Sequence, residues 1–103
     1  MYRIIKVLNN NGILVLDGES QREVILLGNG IGFGHRTGER IESTGQAKRY
    51  ELVTGRTSAL QQVNSIEPVY IEAAGRIIEE AEGTMGTLSH DILIPMADHI
   101  ALA

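Results

Sequence analysis

One glycine-rich segment, GNGIGFG at residues 28–34, has the composition of a ligand-binding loop. Glycines carry no side chain, so backbone N–H groups in such a loop can come close to a bulky partner. Phe33, the only phenylalanine in the chain, could stack on an unpaired base, as aromatic residues do in RNA-binding proteins. The segment could equally be a wide turn that Phe33 anchors in the core. A dinucleotide-binding loop is excluded, because Phe33 and His35 stand where its last glycine is needed and no helical pattern follows.

Three consecutive asparagines at residues 9–11 form a second candidate binding feature. Their side-chain amides donate and accept hydrogen bonds, so they can contact base edges or ribose 2′-hydroxyl groups. Asparagine also tolerates the left-handed backbone of a tight turn, and Gly12 follows, so turn formation accounts for at least one of the three. Lys6, on the strand before them, is by itself an ordinary solvated charge.

The residues that enzymes and metal centres use are absent or badly spaced. The chain has no cysteine, which excludes disulfides, thiolate metal ligands and cysteine nucleophiles. His35, His90 and His99 do not have the spacing of metal ligands. Asp98 is adjacent to His99, which places the two side chains apart on a helix, and no Gly-x-Ser-x-Gly segment offers a serine nucleophile. We therefore predict a protein that is not an enzyme and that uses no cofactor and no metal ion.

Four short β-rich segments in residues 1–55 predict an antiparallel sheet, with the asparagines and the glycine-rich segment between its strands. Clusters of Asn, Asp, Gly and Ser between the segments favour tight turns. The predicted strands cover residues 3–8, 13–16, 23–27 and 48–53.

The two central predicted strands are apolar at adjacent positions, in residues 13–16 and 24–27. Adjacent strand residues point to opposite faces, so both faces of the sheet carry hydrocarbon. No helical pattern within residues 1–55 covers the second face, and a unit of that size is marginally stable alone. We therefore predict that the sheet of a second copy covers it, which makes the protein a homodimer.

The second half of the sequence predicts helices. Apolar residues between 70 and 81 recur at helical spacing, Pro68 suits the first turn and Gly83 suits a C-terminal stop. A second helix is predicted from about Pro95 to the end. Residues 54–65 are polar and predict a linker. Two short helices do not close a core, so this half looks like the beginning of a larger helical domain.

The two halves also differ in charge. Residues 1–55 contain seven Lys or Arg against six Asp or Glu, whereas residues 56–103 contain two against seven. The overall net charge of −4 argues against a strongly basic nucleic-acid binder. No apolar run approaches the ~18–20 residues of a membrane span and no signal peptide is evident, so we expect a cytoplasmic protein without membrane insertion.

The asparagine triplet and the glycine-rich segment together resemble the co-antiterminator (CAT) RNA-binding domain of the BglG/SacY family of bacterial transcriptional antiterminators. The matching segments are VLNNN at residues 7–11 and EVILLGNGIGF at residues 23–33, whose order and spacing are specific to that family. The DHI segment at residues 98–100 resembles the start of the first phosphotransferase regulation domain (PRD) of the same proteins. This resemblance implies a CAT domain at 1–55, a linker at 56–65 and the N-terminal part of a PRD at 66–103.

The resemblance also implies a fold and a function. CAT domains are four-stranded antiparallel sheets that act as homodimers and bind an imperfect RNA hairpin in a leader transcript. The bound hairpin excludes an overlapping terminator, so transcription continues. PRDs are helical and are phosphorylated on histidine by the sugar phosphotransferase system, whose phosphocarrier protein and sugar permease are therefore expected partners. The expected fold class is a mainly β N-terminal half followed by an α-helical partial PRD.

Single residues gain expected roles in the same way. Asn11 and Phe33 match the best RNA-contact positions, and His99 matches the first PRD phosphorylation site. Asn29 departs from the family, many members of which have Arg or Lys there, while Arg36 offers a nearby cation. The full set of expected RNA-binding residues is Lys6, Asn11, Gly28, Asn29, Gly30, Phe33 and Arg36.

An alternative function is a dimeric β-module that binds protein and not RNA. RNA binding predicts that Lys6 and Arg36 gather their positive charge around Asn11 and Phe33. The protein-binding alternative predicts a flat apolar surface without that cluster.

Overall fold

The N-terminal half of the chain is a five-stranded antiparallel sheet in a computed structural model that describes residues 1–42 and 45–102. The strands are β1 (Tyr2–Asn9), β2 (Gly12–Asp17), β3 (Glu23–Leu27), β4 (Arg40–Ile41) and β5 (Lys48–Glu51). Their order in the sheet is β4-β1-β2-β3-β5. The predicted sheet is confirmed, although its last strand ends at residue 51 and not at 53. The added strand β4 has two residues, too few to show a periodicity.

Asp17, at the end of β2, ties the turn after that strand to β5. The residue is 5% exposed. Its carboxylate accepts a hydrogen bond from the backbone N–H of Glu19 at 2.9 Å and from the Arg49 guanidinium at 2.6 Å. The Glu19 hydrogen bond, helped by Arg49, holds the pKa of Asp17 below its usual value. The carboxylate therefore stays charged and paired.

Three helices follow the sheet: α1 (Ala59–Asn64), α2 (Pro68–Met85) and α3 (Leu93–Leu102), the last preceded by a 3₁₀ turn at His90–Ile92. Pro68 begins α2 as predicted. Gly83 does not end it, because α2 continues to a cap at Gly86, whose φ of 85° suits glycine. Pro95 lies inside the first turn of α3, where a missing N–H is tolerated. In the described ranges, no helix combines the length and apolar composition needed to cross a bilayer.

The predicted linker contains helix α1. Ser58 and Gln61 form a reciprocal capping box at its start. Ala59 and Val63, one helical turn apart, are both buried. The polar composition of residues 54–65 concealed this helix, because two apolar residues are enough to bury one side of so short an element.

The sheet buries both of its faces. One, the helix face, packs against the helices, and its cluster consists of Leu8, Leu14, Ile25, Tyr50, Ala59, Val63, Ile66, Ile71, Ala74, Ile78, Leu93 and Ala97. The other, the loop face, packs against the segment between β3 and β5, and its cluster consists of Ile4, Ile13, Val15, Val24 and Leu26, with Ile31, Ile41 and Ala47 around them. The two-sided apolar pattern of β2 and β3 therefore has a partner on each side.

A second copy of the sheet is not needed to bury these faces. Ile13, Leu14 and Val15, at successive positions of β2, are all fully buried within one chain. The prediction of a homodimer considered only residues 1–55 as possible cover, and the helices beyond residue 58 supply the missing layer. This reason for dimerisation was wrong, and dimerisation itself stays a prediction.

Candidate nucleic-acid interface

The glycine-rich segment is folded onto the turn that joins β1 and β2. The backbone N–H of Gly28 donates to the carbonyl of Asn11 at 3.0 Å, and that of Gly32 donates to the carbonyl of Asn10 at 2.8 Å. The segment itself contains two tight turns. The backbone N–H of Ile31 donates to the carbonyl of Gly28, and that of Phe33 donates to the carbonyl of Gly30. The two candidate binding features of the sequence therefore form one continuous surface, which we call the asparagine–glycine surface (residues 9–11 and 28–34).

Asn11 connects the two parts of this surface through its side chain. Its Oδ1 accepts a hydrogen bond from the Gly30 backbone N–H at 2.8 Å. Gly30 has a φ of 73°, a conformation that L side chains rarely adopt. An asparagine held in this way presents a fixed amide orientation, which suits recognition of a hydrogen-bonding partner.

Two of the glycines allow close approach of the protein's own backbone. A Cβ atom on Gly32 would lie 2.1 Å from the Asn9 carbonyl oxygen, and one on Gly28 would lie 3.0 Å from the Ala47 Cα. The close approach that these glycines were predicted to permit therefore occurs between parts of the chain itself. Gly28 and Gly30 stay predicted RNA contacts.

Phe33 projects from the loop with 73% of its surface exposed. The alternative that it anchors the loop in the core is wrong. Ile31 takes that position, because it packs against the loop-face cluster. Asn29 is also exposed, on the same loop. The aromatic ring is thus accessible to a base.

The two expected cations have different surroundings. Arg36 is exposed just after the loop, and its backbone N–H donates to Glu39. The Lys6 ammonium instead donates a hydrogen bond to the side chain of Asn64 in α1. The gathering of positive charge from Lys6 and Arg36 around Asn11 and Phe33 therefore stays a prediction, with the Lys6 ammonium hydrogen bonded to α1.

His35 closes the base of the loop. Its Nδ1 is hydrogen bonded to the Glu39 carboxylate. This contact holds the pKa of Glu39 below its usual value. His35 is thus paired with Glu39.

Helix α2 contributes residues that the sequence did not mark. Glu72 accepts hydrogen bonds from the side-chain amides of Asn9 and Asn11, and Arg76 donates to the same carboxylate. A cavity of about 620 Å³ separates α2 from the glycine loop, and its lining includes Asn29, Lys48 and Arg76. An acid and a base four residues apart on a polar helix face ordinarily indicate a solvated pair, so no local signal pointed to this contact.

The predicted phosphorylation site lies at the other end of the chain. His99 is exposed in the last turn of α3. Its neighbour Asp98 is exposed as well, and no hydrogen bond joins the two among the residues described. The side chain of His90 and residue 103 lie outside the described part of the chain.

Comparison with known proteins identifies the N-terminal half. A family profile described as "CAT RNA binding domain" matches residues 2–59. The chain is 32% identical over 104 residues to a "Beta-glucoside operon antiterminator" of Dickeya chrysanthemi, an alignment that covers 98% of this chain and 36% of the relative. It is 34% identical over 109 residues to a "GlcA/glcB genes antiterminator" of Staphylococcus carnosus (strain TM300), with coverage of 99% and 37%. The chain thus spans about a third of the length of these curated relatives.

A solved structure shares the arrangement of sheet and helices. It is described as "Crystal structure of GlcT CAT-PRDI" and superimposes with a TM-score of 0.69 at 27% identity. The superposition covers 99% of this chain and 62% of the other. The expected fold class, a β N-terminal half followed by helices, is therefore confirmed. The chain belongs to the family of CAT RNA-binding domains.

Proposed function

We propose that this chain is the RNA-binding part of a bacterial transcriptional antiterminator. It binds an imperfect hairpin in a leader transcript and thereby excludes an overlapping terminator. The exposed ring of Phe33, on a loop tied to Asn11, is the observation that carries this proposal. The role is regulatory and not enzymatic, and it belongs in the cytoplasm, where bacterial transcripts are made.

The proposed contacts divide by chemistry. An unpaired base stacks on Phe33, and the amides of Asn11 and Asn29 bind base edges or 2′-hydroxyl groups. Gly28 and Gly30, which carry no side chains, let the strand approach the backbone of the loop. Arg36 contacts a phosphate, and Lys6 does so after exchanging its hydrogen bond to Asn64. The other RNA contacts lie on the asparagine–glycine surface.

Replacement of Phe33 tests this proposal. Phe33→Ala should weaken hairpin binding by roughly 1–3 kcal/mol, the usual range for a base stacked on an aromatic ring. The melting temperature should not change, because the ring is exposed. Met85→Ala is the matched control, since Met85 is also 70% exposed but lies at the end of α2. Equal hairpin affinity in both variants and the wild type would contradict the proposal, as would equal binding of a hairpin and a perfect duplex.

We further propose that two copies of the chain bind one hairpin. The family resemblance supports this, whereas the burial of the two sheet faces no longer requires it. Light scattering of the protein alone, and of the protein with the hairpin, measures the mass directly. One chain per hairpin would contradict the dimer while leaving the RNA-binding proposal intact.

Phosphorylation of His99 is the proposed form of regulation. The imidazole is exposed on α3 and is a nucleophile near neutral pH. A phosphoryl group would add about two negative charges to a half that is already acidic, which opposes pairing of two such halves. The test is to incubate a chain with complete PRDs with the phosphocarrier protein and its kinase and to map acid-labile phosphate. Label on His35 or His90 alone, or no label, would remove His99 from the mechanism.

A further inference from the structure

The Glu72 carboxylate is shared between three donors from two parts of the fold. Its Oε1 accepts from Asn9 Nδ2 at 3.0 Å, and its Oε2 accepts from Asn11 Nδ2 at 3.2 Å. Arg76, one turn further along α2, donates to Oε2 at 2.8 Å. The Glu72 side chain is 21% exposed, so this contact is partly shielded from water. Helix α2 is thus hydrogen bonded directly to the asparagine–glycine surface.

These hydrogen bonds use the groups that RNA would need. A side-chain amide offers two N–H donors and one carbonyl oxygen. Asn11 has its oxygen engaged by Gly30 and an N–H engaged by Glu72. Base carbonyls and phosphate oxygens of RNA are acceptors, as the carboxylate oxygens are, so they require the same donors. Glu72 therefore occupies N–H donors of Asn9 and Asn11 that RNA would otherwise bind.

The negative charge of Glu72 also opposes RNA binding. A carboxylate at this position repels the phosphates of an approaching strand. Glu79 lines the same cavity two turns along α2, yet no hydrogen bond joins it to the asparagines among the residues described. The two glutamates therefore have the same charge and lie on the same helix, but only Glu72 is hydrogen bonded to the asparagines.

We propose that Glu72 is an intramolecular competitor of RNA, so that hairpin binding requires its carboxylate to leave Asn9 and Asn11. This inference rests on the proposed function. Arg76 makes the release feasible, because the carboxylate keeps that partner on its own helix when it leaves the asparagines. Ile71, Ala74 and Ile78 meanwhile hold α2 on the sheet through the buried cluster. Hairpin affinity then depends on how firmly α2 lies against the sheet.

The test compares Glu72→Ala with Glu79→Ala in the whole 103-residue chain. Both variants remove one negative charge from the same helix, and alanine favours a helix at both sites. Glu72→Ala should bind the hairpin about 10-fold more tightly than the wild type, because hydrogen bonds to a charged group are lost from the free state alone. Glu79→Ala should gain at most about 2-fold, the size of a surface charge effect. Circular dichroism checks that both variants are folded.

A second measurement reports the contact without RNA. The side-chain amide NMR signals of Asn9 and Asn11 should shift in Glu72→Ala and stay in place in Glu79→Ala. Unshifted signals in Glu72→Ala would overturn the inference, whatever the affinity.

The binding outcomes separate the two proposals. Equal gains in both variants would show that charge alone acts and would overturn the competition. Weaker binding by Glu72→Ala would show that Glu72 orients the asparagines for RNA and would overturn it too. If none of the three proteins binds the hairpin, the proposed function is wrong, and this inference, which rests on it, is wrong as well.

Discussion

The two faces of the sheet bury the same kinds of side chain but are covered by different parts of the chain. The loop face is covered from within the N-terminal half, by residues such as Ile31 and Ala47. The helix face is covered by residues from 59 onward, in the acidic half. The loop face therefore belongs to the CAT domain itself, whereas the helix face is an interface between the two halves. The asparagine–glycine surface lies where the two coverings meet, which explains how α2 reaches it.

The largest expected effect tests whether the two faces are equally buried. Val15, on the loop face, and Ile25, on the helix face, are both fully buried. Val15→Asp and Ile25→Asp should each cost several kcal/mol, enough to unfold a domain of this size. Circular dichroism during thermal melting measures the loss.

Val53→Asp serves as the control for these two changes, because Val53 is 66% exposed and should tolerate the charge. A wild-type melting curve for Ile25→Asp, beside an unfolded Val15→Asp, would show that the helices do not cover the sheet.

The next effect compares two close contacts of glycines, one with backbone beside the loop and one with a side chain beneath α2. A Cβ on Gly32 would meet the backbone oxygen of Asn9 at 2.1 Å, whereas a Cβ on Gly75 would meet the side-chain end of Leu27 at 2.5 Å. Backbone cannot give way as a leucine methyl can, so Gly32→Ala should cost about 3 kcal/mol and Gly75→Ala about 1 kcal/mol or less. Urea unfolding at equilibrium measures both.

Gly83→Ala is the matched control on α2. Nothing lies within 4 Å of a Cβ there, so better helix propensity should stabilise the chain by up to about 1 kcal/mol. A larger loss for Gly75→Ala than for Gly32→Ala would reverse the comparison.

The smallest effect uses a titratable group on the helix face. Burial, with Glu79 and Glu82 nearby, raises the pKa of Tyr50 from 10.0 to about 12. The folded state holds the phenol proton more tightly than the unfolded state. The stability it contributes is therefore complete below pH 10.0 and is lost as the pH rises towards about 12.

This loss amounts to about 1 kcal/mol near pH ~11. Tyr50→Phe should remove this part of the pH dependence, as measured by urea midpoints across that range. An unchanged alkaline profile in the variant would show that Tyr50 ionises freely and that the helix face is open to water.

Local patterns in the sequence predicted most of the sheet and the binding loop. Alternating turn and β-rich segments gave the strands, and the spacing of Asn11 and Phe33 placed the candidate RNA site. The packing of the helices on the helix face was missed because it brings together residues far apart in the chain, such as Leu14 and Ile71. The Glu72 contact was missed for the same reason, since 61 residues separate it from Asn11. Composition also hid α1, whose capping box at Ser58 was the available signal.

The order of the two halves along the chain has a consequence during synthesis. β5 ends at Glu51, and Leu93, a buried residue of the helix-face cluster, is roughly 40 residues later. A ribosome adding about 5–20 residues per second needs roughly 2–8 s to make that stretch. Until that stretch is complete, the helix face of the nascent sheet, which includes Leu14, Ile25 and Tyr50, is only partly covered. Chains translated side by side on one messenger then have partly covered sheets at high local concentration, and chaperones that bind apolar surface have a target there.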